Sequence, residues 1–176
     1  MTDVHSKETR SYNMSRIRAK DTKPELLVRK YLFSKGFRYR VNVKDLPGKP
    51  DIVLPKYKTV IFIHGCFWHG HEGCRYFVIP KTRTEWWTEK IRKNSENDQK
   101  AHTALRKEGW NILTIWECQL KPKVCTETLE SIVLLLQKNW LNKCKRPADK
   151  PYLIPQPEIR QVAEKKVPYG NQDSEE

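Results

Sequence analysis

Apolar residues recur along this chain with two different periods. In "FRYRVNV" Phe37, Tyr39, Val41 and Val43 alternate with charged and polar residues. That two-residue period predicts a half-buried strand. "DIVL" from Asp51 is a short apolar strand between the turns "LPGKP" and "LPKYK". "TVIFI", Thr59 to Ile63, is a continuous apolar run, as expected of a central strand covered on both faces. "WNILTIWE" from Trp110 predicts a further strand. Three other stretches carry the helical period. The first runs from about 23 to 35, with Thr22 and Glu25 as a capping box, Pro24 in the first turn and Gly36 as the stop. Leu26, Leu27, Tyr31 and Phe33 are its expected buried face. The second runs from Thr84, read as its cap, to about Lys107. It turns Trp87, Ile91, Ala101 and Leu105 inward and Lys90, Arg92, Lys93, Asn94 and Asp98 outward. The third spans about Glu127 to Trp140, with Leu129, Ile132, Val133, Leu136 and Trp140 at helical spacing.

The predicted order is α-β-β-β-α-β-α. Three successive strands suit a meander, and a helix before the fourth permits a parallel crossover. The fold class is therefore α/β, a mixed sheet flanked by helices. Residues 1–20 are basic and polar, an arm or short helix whose main apolar points are Met14 and Ile17. One domain is expected over 21–144. Five of the eleven prolines lie between Pro147 and Pro168, so 145–176 reads as an extended or disordered tail.

Charge narrows the function. The formal net charge is +13 over 176 residues. Thirteen Lys/Arg face four Asp/Glu between Ser6 and Pro50, whereas the counts from Lys145 onward are six and six. The positive field thus belongs to the folded part, and a nucleic acid is the expected partner. No stretch approaches the ~18 apolar residues of a membrane span. "MTDVHSKETR" lacks an apolar signal core, so a cytoplasmic location is expected. Five cysteines, an odd number, argue for free thiols or metal ligands over a disulfide frame.

The chemistry concentrates in "VIFIHGCFWHGHEGCRY". Cys66, His71 and Cys74 are spaced as three local zinc ligands, with His69 a rival for the third place. Cys118 supplies the fourth if "WNILTIWEC" runs parallel to "TVIFI", with Cys125 the competing candidate. A closed Cys/His set makes that zinc structural. Asp51 stands at the mouth of a strand, where a carboxylate can hold Mg²⁺. The Ile63 carbonyl, His64 and His69 fall near it if the two strands pair. A carboxylate, a carbonyl, a divalent cation and a histidine suit phosphodiester hydrolysis. Phe67 and Trp68 sit on the same loop, and Trp87 opens the long helix. Aromatics on a rigid basic site can part base steps.

These motifs resemble the bacterial very-short-patch mismatch repair endonucleases. The likeness runs through "DVHSKETRSYNMSRIRAKDT", "LPGKPDIVLPKY", "VIFIHGCFWHGHEGC", "TRTEWWTEKI" and "LTIWEC", about residues 3 to 120. It implies a restriction-endonuclease-like core and Mg²⁺-dependent nicking of one strand, 5′ to the T of a T:G mismatch left by 5-methylcytosine deamination. It also implies a monomer that works alongside a DNA cytosine methyltransferase and mismatch-repair proteins. Carried over, Asp51 and the Ile63 carbonyl hold Mg²⁺, His69 is catalytic, and His64 and Glu25 support it. Cys66, His71, Cys74 and Cys118 hold Zn²⁺, and Phe67, Trp68 and Trp87 form the wedge. Met14, Lys90 and Asn94 are further expected DNA contacts. Two departures stand out: Ile63 replaces a Thr, and the loop "HGHEGC" is one residue longer. The alternative is a zinc-stabilised nucleic-acid-binding module without catalysis.

Overall fold

The apolar run after Lys58 forms the middle strand of a three-stranded sheet. In the computed structural model, which describes residues 6–16 and 20–144, β1 is Ile52–Leu54, β2 is Thr59–His64 and β3 is Asn111–Trp116. β1 pairs antiparallel with β2, Ile52 opposite Ile61 and Leu54 opposite Thr59. β3 pairs parallel with β2, from Thr59 opposite Asn111 to His64 opposite Trp116. The strand order is β1-β2-β3, as the central apolar run requires.

The helices are α1 (Lys7–Ser15), α2 (Lys23–Ser34), α3 (Thr84–Lys107) and α4 (Cys125–Cys144). The α3 segment is the crossover that lets β3 return parallel to β2. Alternation along the strands splits the core in two. Ile52, Leu54, Ile61 and Ile115 pack with Val28 and Leu32 of α2 and with Leu129, Ile132 and Leu136 of α4. Val53, Val60 and Phe62 point the other way and pack with Leu105 of α3. Each fully buried Leu or Ile contributes about 1.5–3 kcal/mol. The two packed faces therefore fix the register of β2.

Four expectations are corrected. The stretch 37–43 is not a strand: its only pairing is a bridge between Arg40 and Val53. Asn42 turns into the left-handed region at φ 53, which breaks the extended backbone. Phe37 is buried and Tyr39 half-buried, so the alternation reports packing, with the Tyr39 hydroxyl donating to the Arg29 carbonyl at 3.0 Å. The buried stripe of α2 is Glu25, Val28, Arg29 and Leu32, while Leu26, Leu27 and Phe33 are exposed. Its first two turns give their inner face to Glu25 and Arg29, which meet residues beside β1. The capping box at Thr22 is not formed as such. The Thr22 hydroxyl donates to Glu25 Oε1 at 2.8 Å and makes no cap bond to a backbone N–H. Thr84 is the first residue inside α3, not its cap, and its hydroxyl donates to the carbonyls of Pro80 and Lys81. The arm is described as α1 within 6–16; Ile17 and the tail 145–176 lie outside the described residues.

Candidate active site and metal centre

Because β2 and β3 are parallel, both end at one edge of the sheet, His64 opposite Trp116. The loop after β2 and the short 3-10 turn Glu117–Leu120 after β3 therefore meet. Cys66, His71, Cys74 and Cys118 each bring one ligand atom into a group within 4.8 Å of one another. His71 Nδ1 is 3.4 Å from Cys118 Sγ. Its ring lies flat on Trp116, 4.1 Å between centroids and 3° between planes. Loop turns carry these donors: the His71 N–H donates to the Cys66 carbonyl and the Cys74 N–H to the His71 carbonyl. Gly70 has φ 65, and a Cβ there would come 2.9 Å from Ile91 of α3, so the loop needs a glycine to lie this close. Cys125 belongs elsewhere, the first residue of α4 and half-buried against the core. Three thiols and one imidazole are a complete tetrahedral set for Zn²⁺, with no open position. Burial pushes the Cys66 thiol up to about 12, so a cation bound there must displace its proton.

A second group gathers around Asp51 and His69. Asp51 precedes β1, and its Oδ2 accepts the Ile63 N–H of β2 at 2.7 Å. Burial, reinforced by the charge of Glu25, pushes the Asp51 carboxyl up to about 6 despite that bond and the nearby Arg29. Such a carboxylate suits a hard cation that keeps most of its water. Glu25 is buried and fully engaged. It accepts from Thr22, from the Asp21 N–H at 3.1 Å and from Arg29 at 2.9 Å. Arg29 also reaches the Asp21 carboxylate and, at 3.4 Å, the Asp51 carbonyl.

His69 Nδ1 is 2.6 Å from Asp98 Oδ2. The ring of His69 stacks on His64, 3.8 Å between centroids and 9° between planes. His64 is buried and, chiefly for that reason, pushed down to about 4, so it is neutral near pH 7. His102 lies parallel beyond it, 6.3 Å away. His64, His69 and Asp98 together offer three close donors. Stacked rings cannot both aim in-plane lone pairs at one ion, so this trio suits moving a proton better than holding a metal. Asp51, His64, His69 and Asp98 line one cleft of about 760 Å³, with Lys23, Lys49, Lys90 and Asn94 among its other walls.

Beside the cleft stands an aromatic group. Phe67 meets Trp68 and Trp87 at 5.2 Å each, and Trp68 is 6.0 Å from Trp87. All three are half-buried. Asn94 donates to the Trp68 carbonyl at 2.8 Å, which ties the loop to α3. Met14 is exposed on α1. Asp98 and Asn94, expected to face outward with the other charges of α3, instead face the site. The signal available was their spacing: Lys90, Asn94 and Asp98 recur every four residues on one stripe. No comparable signal marked Arg29 or His102.

Comparison with known proteins agrees with this geometry. A family described as DNA mismatch endonuclease Vsr matches residues 2–75. The type II nicking enzyme V.NmeAIP of Neisseria meningitidis serogroup A is 55% identical over 134 residues, covering 76% of this chain and 95% of that protein. V.XorIIP of Xanthomonas oryzae pv. oryzae, also named a type II nicking enzyme, is 50% identical over 120 residues, 68% of this chain and 88% of its own. The DNA mismatch endonuclease Vsr of Escherichia coli K12 is 48% identical over 121 residues, 69% of this chain and 77% of that protein. With such identity over most of both chains, this chain belongs to the family of the DNA mismatch endonuclease Vsr.

Proposed function

We propose that this DNA mismatch endonuclease nicks one strand 5′ to the T of a T:G mismatch, the product of 5-methylcytosine deamination, in a Mg²⁺-dependent hydrolysis. The observation that carries this is the meeting, in one cleft walled in part by Lys23, Lys49 and Lys90, of the Asp51 carboxylate, the His69–Asp98 pair and the adjoining aromatic group. Asp51 and the Ile63 carbonyl would hold the Mg²⁺. When bound, it supplies positive charge to the scissile phosphate. His69 accepts the proton of the attacking water at Nε2, because its Nδ1 is engaged with Asp98. His64, neutral and stacked, keeps that ring in place. Glu25 and Arg29 brace the Asp51 turn. Lys23, Lys49 and Lys90 attract the phosphates.

Cys66, His71, Cys74 and Cys118 hold a structural Zn²⁺ that stiffens the loop between the cleft and the aromatics. Phe67, Trp68 and Trp87 enter the base stack at the mismatch, and Met14, Lys90 and Asn94 add contacts. The mixed sheet with helices on both faces serves as a restriction-endonuclease-like core within residues 21–144. Action as a cytoplasmic monomer beside a DNA cytosine methyltransferase and mismatch-repair proteins completes the proposal. Among the described residues, no helix is long and apolar enough to cross a membrane.

A binding module without catalysis shares the charge, the aromatics and the metal cluster, so binding must be separated from cutting. Asp51→Asn and His69→Ala should still shift a T:G duplex in a gel, yet fail to nick it. Unchanged nicking by both variants would sink the proposal.

A further inference from the structure

Trp86 is the one exposed ring of the aromatic group. It is 48% exposed, whereas Trp87 beside it is half-buried. Its ring stands edge-on to Trp87 at 4.7 Å and 83°. The guanidinium of Arg83 lies over the same indole, 5.2 Å from its centroid. One face of the Trp86–Trp87 pair thus continues the wedge, and the other presents a large π surface with a cation beside it. Trp86 also ends a row. Asn94, Lys90 and Trp86 follow at four-residue spacing along α3, the first two lining the cleft. Eight helical residues put Trp86 about 12 Å along the axis from Asn94. The acids nearby do not dominate this end: Glu89 is tied to Arg92 and Lys93, leaving Glu85 as the neighbouring acid.

We infer that Trp86 and Arg83 form a second DNA contact beyond the wedge, the indole against a nucleotide flanking the mismatch and the guanidinium on its phosphate. The inference rests on the duplex-DNA reading given above. Charge complementarity and continuity with the wedge select this occupant. An exposed indole accepts any base or sugar face, because stacking is tolerant of sequence. A guanidinium beside it neutralises one phosphate. Neither residue belongs to the cutting machinery, so their loss should weaken binding and spare the chemistry.

The test uses the full chain and a T:G duplex of defined length. Trp86→Ala should raise Kd about tenfold, in the range found for one stacked base. Trp86→Phe should recover most of that loss. Arg83→Asn keeps a residue that tolerates the left-handed backbone at φ 55 and should lower the slope of log K against log salt by about one contact. Single-turnover nicking at saturating protein should stay within about twofold for all three. Unchanged Kd for Trp86→Ala would overturn the inference. So would a slower saturated nick with unchanged Kd, since Trp86 would then only buttress Trp87. Failure of the unaltered protein to nick would instead count against the mismatch assignment, while Kd on the same duplex still decides the Trp86 contact.

Discussion

Two clusters of opposite character meet at the loop after β2. Toward Cys74 the donors are sulfur and nitrogen, four of them, converging within 4.8 Å. Toward Asp51 the groups are a carboxylate, a strand amide, and a stacked pair of imidazoles opening on a cleft. With the proposed Zn²⁺ in place the first set would be closed, because a tetrahedral ion has no further place once four ligands are bound. The second is open, as chemistry on an incoming phosphate requires. A closed soft site and an open hard one can lie within a few residues because neither donor set competes well for the other's cation. Phe67 and Trp68 stand between Cys66 and His69, on the part of the loop that both clusters hold, and Trp87 meets them from α3.

The largest expected effect comes from breaking the closed cluster. Cys118→Ser, or stripping by a strong chelator, removes a site of a kind worth about 10–16 kcal/mol in isolated zinc modules. Melting should drop by more than ~10 °C, and mismatch binding and nicking should fail together. Nicking that survives complete loss of bound zinc would mean that the clusters are independent.

Breaking the open cluster should look different. Asp51→Asn should cost ~10³-fold or more in nicking rate, the scale of losing several kcal/mol of charge stabilisation. The same change should raise the melting temperature of the Mg²⁺-free protein near pH 8. The Asp51 carboxyl is pushed up to about 6 in the fold against an ordinary 3.8. The folded chain therefore binds its proton more tightly than the unfolded chain does. That makes the buried charge a cost fully present above pH 6, on the order of 3 kcal/mol at most. Stability is regained as pH falls from 6 toward 4, while nicking at limiting Mg²⁺ declines over the same window as the carboxylate is protonated. Melting and nicking followed from pH 4.5 to 8 check both signs.

Loss of the proposed proton-moving pair should touch the rate alone. His69→Ala should slow saturated nicking by ~10²–10⁴-fold and leave melting nearly unchanged, since the residue is half-exposed. Asp98→Asn should cost less, because the imidazole stays and only its orientation loosens. The smallest effect falls on Cys125, a thiol that neither cluster uses. Cys125→Ala should cost about 1 kcal/mol or less and leave zinc content unchanged. A loss of zinc in that variant would show that the four donors are wrongly assigned.

The pairing of β2 with β3 was legible in the sequence because two apolar runs separated by a long helical stretch admit a parallel crossover. That pairing carried Cys118 to Cys66, over a separation no local pattern reveals. The alternation of 37–43 misled because Phe37 and Tyr39 face inward for packing, while ladder pairing stops where Asn42 adopts positive φ. Asp98 was misread as a solvated charge, since helical period alone cannot show that a loop from another strand will cover that stripe. Arg29 was hidden for a related reason: a basic residue mid-helix reads as surface until the carboxylates that enclose it are known.

The most direct test of the account follows strand and mismatch together. A duplex labelled separately on each strand, bearing T:G or T:A at one cytosine-methylation sequence, is incubated with the protein and Mg²⁺ under single-turnover conditions. The account predicts one nick, 5′ to the mismatched T, with the G strand intact and the T:A duplex uncut. Equal cutting of T:G and T:A, or cutting of both strands, would contradict it.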